Sequence, residues 1–134
     1  MGVVRQQLLP LRTDGDVVQF RQAVRKWTSE LRFSLVEQTK LVTAASELAR
    51  NTLKHGGGGE GLLEVLEEGP RLALRLTFED HGPGIADVEL AMKDGYTTGG
   101  GLGLGLGGAK RLVNDFSISS APGQGTRVTV LRWK

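Results

Sequence analysis

The sequence predicts an α+β fold, a two-layer α/β sandwich in which helices cover one face of a mixed, mostly antiparallel sheet. Three observations carry this. Two stretches with apolar residues at helical spacing follow each other, from Val17 to Leu31 and from Leu41 to Thr52. Leu72, Leu74, Leu76 and Phe78 alternate with Ala73, Arg75, Thr77 and Glu79, as a strand with one buried face requires. The chain closes with two strand-like runs around Ala121-Pro122-Gly123-Gln124-Gly125, a hairpin signal.

The elements follow in order. Val3–Leu9 reads as an opening strand closed by Pro10, and Asp14-Gly15-Asp16 as a turn whose acids can cap the next helix. Val17, Phe20, Val24, Trp27 and Leu31 then give an amphipathic helix ending near Phe33, with Trp27 in the core. Ser34 caps a second helix, with Glu37 in the capping-box position. Leu41, Ala45, Leu48 and Thr52 form its buried face, and Gly56 is expected to end it as C-cap. Two strands, Gly61–Glu67 and Arg71–Asp80, meet at Glu68-Gly69-Pro70. A short helix is expected over Asp87–Met92, a glycine-rich loop up to Gly108, and a helix from Ala109 to Val113. Strands Phe116–Ser120 and Thr126–Trp133 finish the order β-α-α-β-β-α-loop-α-β-β.

The totals narrow the function. A length of 134 residues suits one domain, residues 1–134, with a core that needs no cross-links. Hydrophobic and charged fractions of 39% and 24% are those of an ordinary globular protein. The absence of cysteine removes disulfides and thiolate metal sites and fits a reducing, cytoplasmic setting. A net charge of +2, with arginines scattered among acids, gives no ground for nucleic-acid binding. No apolar run approaches the ~20 residues of a membrane span, and no secretory leader is visible. Glycine is the outlier, with 20 residues, about twice the usual ~7%.

Those glycines sit beside groups that can do chemistry. Glu47, Asn51 and His55 form one strip of the second helix, four residues apart. A carboxylate there can accept a proton, and an amide oxygen can ligate a hard cation such as magnesium. His55 either favours the negative end of the helix dipole or takes a direct role. Asp80 ends its strand and runs into His81-Gly82-Pro83-Gly84-Ile85, a tight turn. The run Thr97 to Gly108 interleaves Leu102, Leu104 and Leu106 with glycines, unlike a flexible spacer, and suits backbone amides approaching phosphate. Gly103-Leu104-Gly105-Leu106-Gly107-Gly108 matches a dinucleotide fingerprint, but no buried strand precedes it and no acid follows Asp115. Lys110 is followed by Arg111, so this is no P-loop.

Taken together, these stretches resemble the Bergerat-fold ATP-binding family shared by gyrase, Hsp90, histidine kinases and MutL. The N-box is matched by Glu47-Leu48-Ala49-Arg50-Asn51 with His55-Gly56, and the Asp-x-Gly-x-Gly box by Asp80, Gly82 and Gly84. The lid box is matched by Gly101-Leu102-Gly103-Leu104-Gly105-Leu106, and the last by Gly123-x-Gly125-Thr126. The length leaves no room for a phosphoacceptor or transducer domain, and the chain is similar to the small stand-alone serine kinases of bacterial partner switching. Its phrasing is nearer to the stressosome switch kinases than to the anti-sigma kinases.

The resemblance implies that Asp80 accepts from the adenine amino group, supported by Thr126, while Gly82, Gly84 and Ile85 let backbone approach ATP. It implies that Asn51 holds magnesium, and that Thr98, Gly99, Gly100, Gly101, Leu102, Gly103, Leu104 and Gly105 close over the phosphates. Glu47 would be general base on a serine hydroxyl of a partner. That partner would be a STAS-domain antagonist, within a stressosome-like complex and upstream of a phosphatase or sigma factor. No cationic side chain lies between Lys93 and Lys110, so Arg50 is a candidate for phosphate charge or partner contact, or a plain solvated arginine. The alternative is a nucleotide-dependent anti-sigma or activator module with little catalysis.

Overall fold

The computed structural model describes residues 2–93 and 105–134. Strands β1 (Gly2–Leu11), β2 (Gly59–Glu68), β3 (Arg71–Asp80), β4 (Asp115–Ser120) and β5 (Thr126–Trp133) form one sheet in the order β1-β2-β3-β5-β4. Each neighbouring pair is antiparallel, so the expected mixed character is absent from the described sheet. Helices α1 (Asp14–Glu30) and α2 (Leu35–Lys54) lie on one face. Between β3 and β4 the chain leaves the sheet for two short helices, α3 (Val88–Ala91) and α4 (Gly105–Lys110).

The helix starts are chemically defined. Ser34 caps α2 through a capping box: its hydroxyl accepts from Glu37 N at 3.1 Å, and Glu37 Oε1 accepts from Ser34 N at 2.9 Å. The cap of α1 differs from expectation. Thr13 is the N-cap, and Asp16 closes the box from N3. Thr13 Oγ1 accepts from the helix N–H of Asp16, as a capping acid would, while Asp16 Oδ2 reaches back to the Arg12 and Thr13 N–H groups. Helix α1 ends at Glu30, and Arg32, at φ 61°, turns the chain into α2.

Pro10 lies within β1 rather than after it, because β1 is an edge strand whose outer side needs no donor. The core forms between the helices and the inner face of the sheet. Phe20 of α1 and Phe78 of β3 are fully buried with ring centroids 5.1 Å apart, and Leu41, Leu48, Leu63, Leu74 and Leu76 surround them. A Cβ on Gly61 would stand 2.3 Å from the Phe20 ring, so β2 keeps glycine where the aromatic ring needs room. Trp27 is buried as expected, with the Arg5 guanidinium 4.0 Å above its ring. The opposite face of the sheet carries Glu64–Arg75 and Glu79–Arg127 ion pairs and a small cluster of Leu66, Ala73 and Leu131. No helix among the described residues is long and apolar enough to cross a membrane.

Helix α4 also departs from expectation, starting inside the glycine run at Gly105 and ending at Lys110. Each glycine costs a helix about 1 kcal/mol. Burial of Gly105, Leu106, Gly107 and Ala109, with α4 packed on α2, offsets this.

The Ser34 backbone N–H holds the Glu37 carboxyl below its ordinary value. A carboxylate depressed on folding adds stability above its unfolded pKa and loses it as pH falls through the folded one. Glu37→Gln is therefore expected to flatten the fall in unfolding free energy between about pH 6 and pH 3, measured by urea titration.

Candidate functional site

Helix α2 brings Glu47 and Asn51 to the wall of a cavity of about 850 Å³. Strand β3 delivers Asp80 to it, the turn after β3 supplies Gly84 and Ile85, and the start of β5 supplies Thr126. Leu48, Phe78, Leu106 and Val128 give it an apolar lining, and the volume lies within the range of small-molecule sites. Sequence positions as distant as 47 and 126 thus meet because α2 packs on the sheet where β3 and β5 pair.

Asp80 is the most constrained member, at 7% exposure. Its Oδ1 accepts from Gly82 N at 3.0 Å and Thr126 N at 3.2 Å. Among the described residues the other oxygen, Oδ2, accepts no hydrogen bond and is left for a ligand. Gly56 is glycine for this carboxylate: a Cβ there would come within 2.2 Å of Asp80 Cγ. The expected role of Gly56 as C-cap is thereby corrected. His55 is the C-cap, Gly57 is the first glycine beyond it with positive φ (74°), and Gly56 is not among the positive-φ glycines. Gly82, whose added Cβ would meet the Gly56 carbonyl at 2.5 Å, completes the close contact without lining the cavity.

The turn after β3 is tied to the β4–β5 hairpin. Gly123 N donates to the Pro83 carbonyl at 2.7 Å, and Ile85 N donates to Ser120 Oγ at 2.8 Å. Gly84, at φ 76°, has no room for a side chain, since a Cβ would lie 2.0 Å from the Ala121 carbonyl. Ser120 was not among the expected residues. Its signal lay in the hairpin register, which sets Ser120 opposite Thr126.

On the helix side, Glu47 is 14% exposed and Arg50 Nη1 donates to its Oε1 at 2.9 Å. Arg50 keeps about half of its side chain exposed, at 49%, while it pairs with Glu47. Lys54, also on the cavity wall, pairs with Asp14 at 3.0 Å. The Asn51 side chain has no hydrogen-bond partner among the described residues and is available to a ligand or cation. His55 lines the same wall, and Gly105 borders the cavity from α4. Thr98, Gly99, Gly100, Gly101, Leu102, Gly103 and Leu104 lie outside the described residues. Among the described residues no cluster of three or more His, Cys, Asp or Glu could hold a metal unaided. A single amide oxygen fits magnesium that is bound mainly through phosphates and water.

Gly56→Ala would drive a methyl group into the Asp80 carboxylate. It is expected to destabilise the protein by about 1–3 kcal/mol, read from urea unfolding; unchanged stability would contradict this packing.

Comparison with known proteins agrees with this geometry. Residues 36–134 match the family described as histidine kinase-, DNA gyrase B-, and HSP90-like ATPase. The serine/threonine-protein kinase RsbT of Bacillus subtilis is 42% identical over 129 residues, covering 96% of each chain. An anti-sigma F factor of Clostridium kluyveri is 30% identical over 112 residues, 81% of this chain and 79% of that one. The same fold occurs in the crystal structure of RsbU and RsbW domains from Mycobacterium tuberculosis, with TM-score 0.63 and 18% identity over 98% of this chain and 33% of that longer one. The chain belongs to the family of histidine kinase-, DNA gyrase B- and HSP90-like ATPases.

Proposed function

We propose that this chain is an ATP-dependent protein serine kinase of a bacterial partner-switching pathway, acting in the cytoplasm on a STAS-domain antagonist. The observation that carries the reading is Glu47, a carboxylate largely withdrawn from solvent one helical turn before Asn51, in the cavity that also holds Asp80. Likeness to a serine/threonine kinase over almost the whole of both chains supports it. Residues 1–134 act as one ATP-binding unit in this reading, and the finer partners are a stressosome-like complex and a downstream phosphatase or sigma factor.

The division of labour is the one that the family resemblance implies. Asp80 accepts from the adenine amino group through Oδ2, since Oδ1 already accepts from two backbone N–H groups. Thr126, Gly82, Gly84 and Ile85 shape the base end of the site. Asn51 would hold magnesium through its amide oxygen, and the ion would supply positive charge to the phosphates. The cover over the phosphates is expected from residues 98–105 by the resemblance alone, Gly105 being the one of them among the described residues. Glu47 takes the proton of the attacking serine hydroxyl as its oxygen bonds to the γ-phosphorus and the bond to ADP breaks. The guanidinium of Arg50 holds Glu47 through one oxygen and leaves Oε2 for that proton. His55 lines the wall without an assigned step.

A second reading is a nucleotide-dependent anti-sigma or activator module with little turnover, which the 30% identity to an anti-sigma F factor over 81% of this chain supports.

Two variants separate these roles. Glu47→Gln is expected to lower phosphotransfer to a STAS-domain substrate by about 10²–10⁴-fold while ATP affinity stays within about threefold. Loss of both would mean that Glu47 serves binding, phosphotransfer that survives the change would mean that another group is the base, and absence of phosphotransfer in the wild-type protein would favour the second reading. Asp80→Asn must turn its amide oxygen to the two backbone donors, leaving –NH₂ against the adenine amine. Affinity for ATP is then expected to fall about tenfold or more in an equilibrium titration, and an unchanged value would refute the adenine assignment.

A further inference from the structure

Helix α4 is poorly suited to stand alone. Its six residues, Gly105–Lys110, include three glycines, and a helix of this length has no stability of its own in water. Leu106 and Ala109 are buried in the core, and α4 packs on α2. Its exit is fastened separately, by β5. Arg132 Nη1 donates to the Leu112 carbonyl at 3.0 Å, Asn114 N donates to the Leu131 carbonyl at 2.9 Å, and Trp133 N donates to Asn114 Oδ1 at 2.7 Å. Three consecutive residues of β5, Leu131, Arg132 and Trp133, thus hold the turn by which the chain leaves α4. The Arg132 tie is the one made by a β5 side chain.

Arg132 is an unexpected residue at this position. The register sets it opposite Leu74, on the face of the sheet that the helices cover. Its Nε is buried with no hydrogen-bond partner among the described residues. A buried N–H without an acceptor opposes folding, and a leucine or methionine there would carry no such penalty. The guanidinium is accounted for by the contact that it does make, with the Leu112 carbonyl. The start of α4 bears on the site, since Gly105 and Leu106 line the cavity that holds Glu47, Asn51 and Asp80. We propose that Arg132 is a positioning residue for the nucleotide site: by clamping the exit of α4, it keeps Gly105 and Leu106 on the cavity wall. Arg132 does not line the cavity itself and acts through α4. The consequence for nucleotide rests on the reading above, in which Asp80 holds the base from β3 and Gly105 adjoins the phosphates. Loosening α4 then weakens the hold on the phosphates and leaves the hold on the base.

The test applies two measurements to the full chain: hydrogen exchange without nucleotide, and equilibrium titration with ATP and with adenosine in magnesium. Arg132→Met keeps an apolar stem and removes the donor. The amides of Ala109 and Lys110 are then expected to exchange about tenfold faster, while those of β3 stay within about threefold of wild type. The Kd for ATP is expected to rise about tenfold, and that for adenosine to stay within about twofold. Arg132→Lys restores an N–H donor and should bring the ATP Kd back to within about threefold of wild type. Unchanged exchange in α4, or faster exchange there with unchanged ATP affinity, would overturn the inference. Equal losses for ATP and adenosine would mark a general weakening of the fold and overturn it too, as would an Arg132→Lys protein no better than Arg132→Met. Wild-type protein that holds ATP no more tightly than adenosine would contradict the proposed function instead, and the exchange of α4 would still decide the clamp.

Discussion

The carboxylate of Asp80, buried at the end of β3, joins three parts of the chain at one point. One oxygen accepts from Gly82 in the following turn and from Thr126 at the start of β5. Its carbon packs against Gly56, beyond the end of α2. A buried charge without partners costs several kcal/mol, so these contacts are required by the burial itself. Their result is an asymmetric carboxylate, with one oxygen spoken for and one available. Moving the turn or the hairpin would leave an N–H and a carboxylate oxygen unmet, and moving the end of α2 would open the packing at Gly56.

Steric limits reinforce this. Gly82 lies on the Gly56 carbonyl, Gly84 on the Ala121 carbonyl, and Gly125 on the Asp80 carbonyl. Backbones approach at distances that no Cβ would permit, and the cavity gains a wall of main chain beside the carboxylate. The proposed kinase reading uses both sides of that cavity. The sheet side orients the nucleotide base, and the α2 side, with Glu47, Arg50 and Asn51, faces the transferring phosphate. Positioning and charge neutralisation are most of what phosphoryl transfer requires.

Much of this architecture was legible in the residues. The alternation through Phe78 gave β3 and put Asp80 at its end, and the Ser34–Glu37 box gave the start of α2. Boundaries were less legible where a local rule yields to its surroundings. Pro10 ends a strand in isolation but not at a sheet edge. Helix α4 runs through glycines because its packing on α2 outweighs their propensity. In the cavity, the meeting of Glu47, Asn51, Asp80 and Thr126 follows the expected pattern of boxes. Two features depended on tertiary contacts. Gly56 reads as a helix terminator until Asp80 is placed against it. Ser120 is one polar strand residue among several until its three partners are counted.

In the proposed reading, Asp80 holds the base of a bound adenine nucleotide. A crystal structure of this protein with magnesium and a non-hydrolysable ATP analogue tests this. The exocyclic amine is expected within hydrogen-bonding distance of Asp80 Oδ2, with Oδ1 still holding Gly82 and Thr126. An adenine bound elsewhere in the cavity, or turned so that its amine faces away from Asp80, would contradict it.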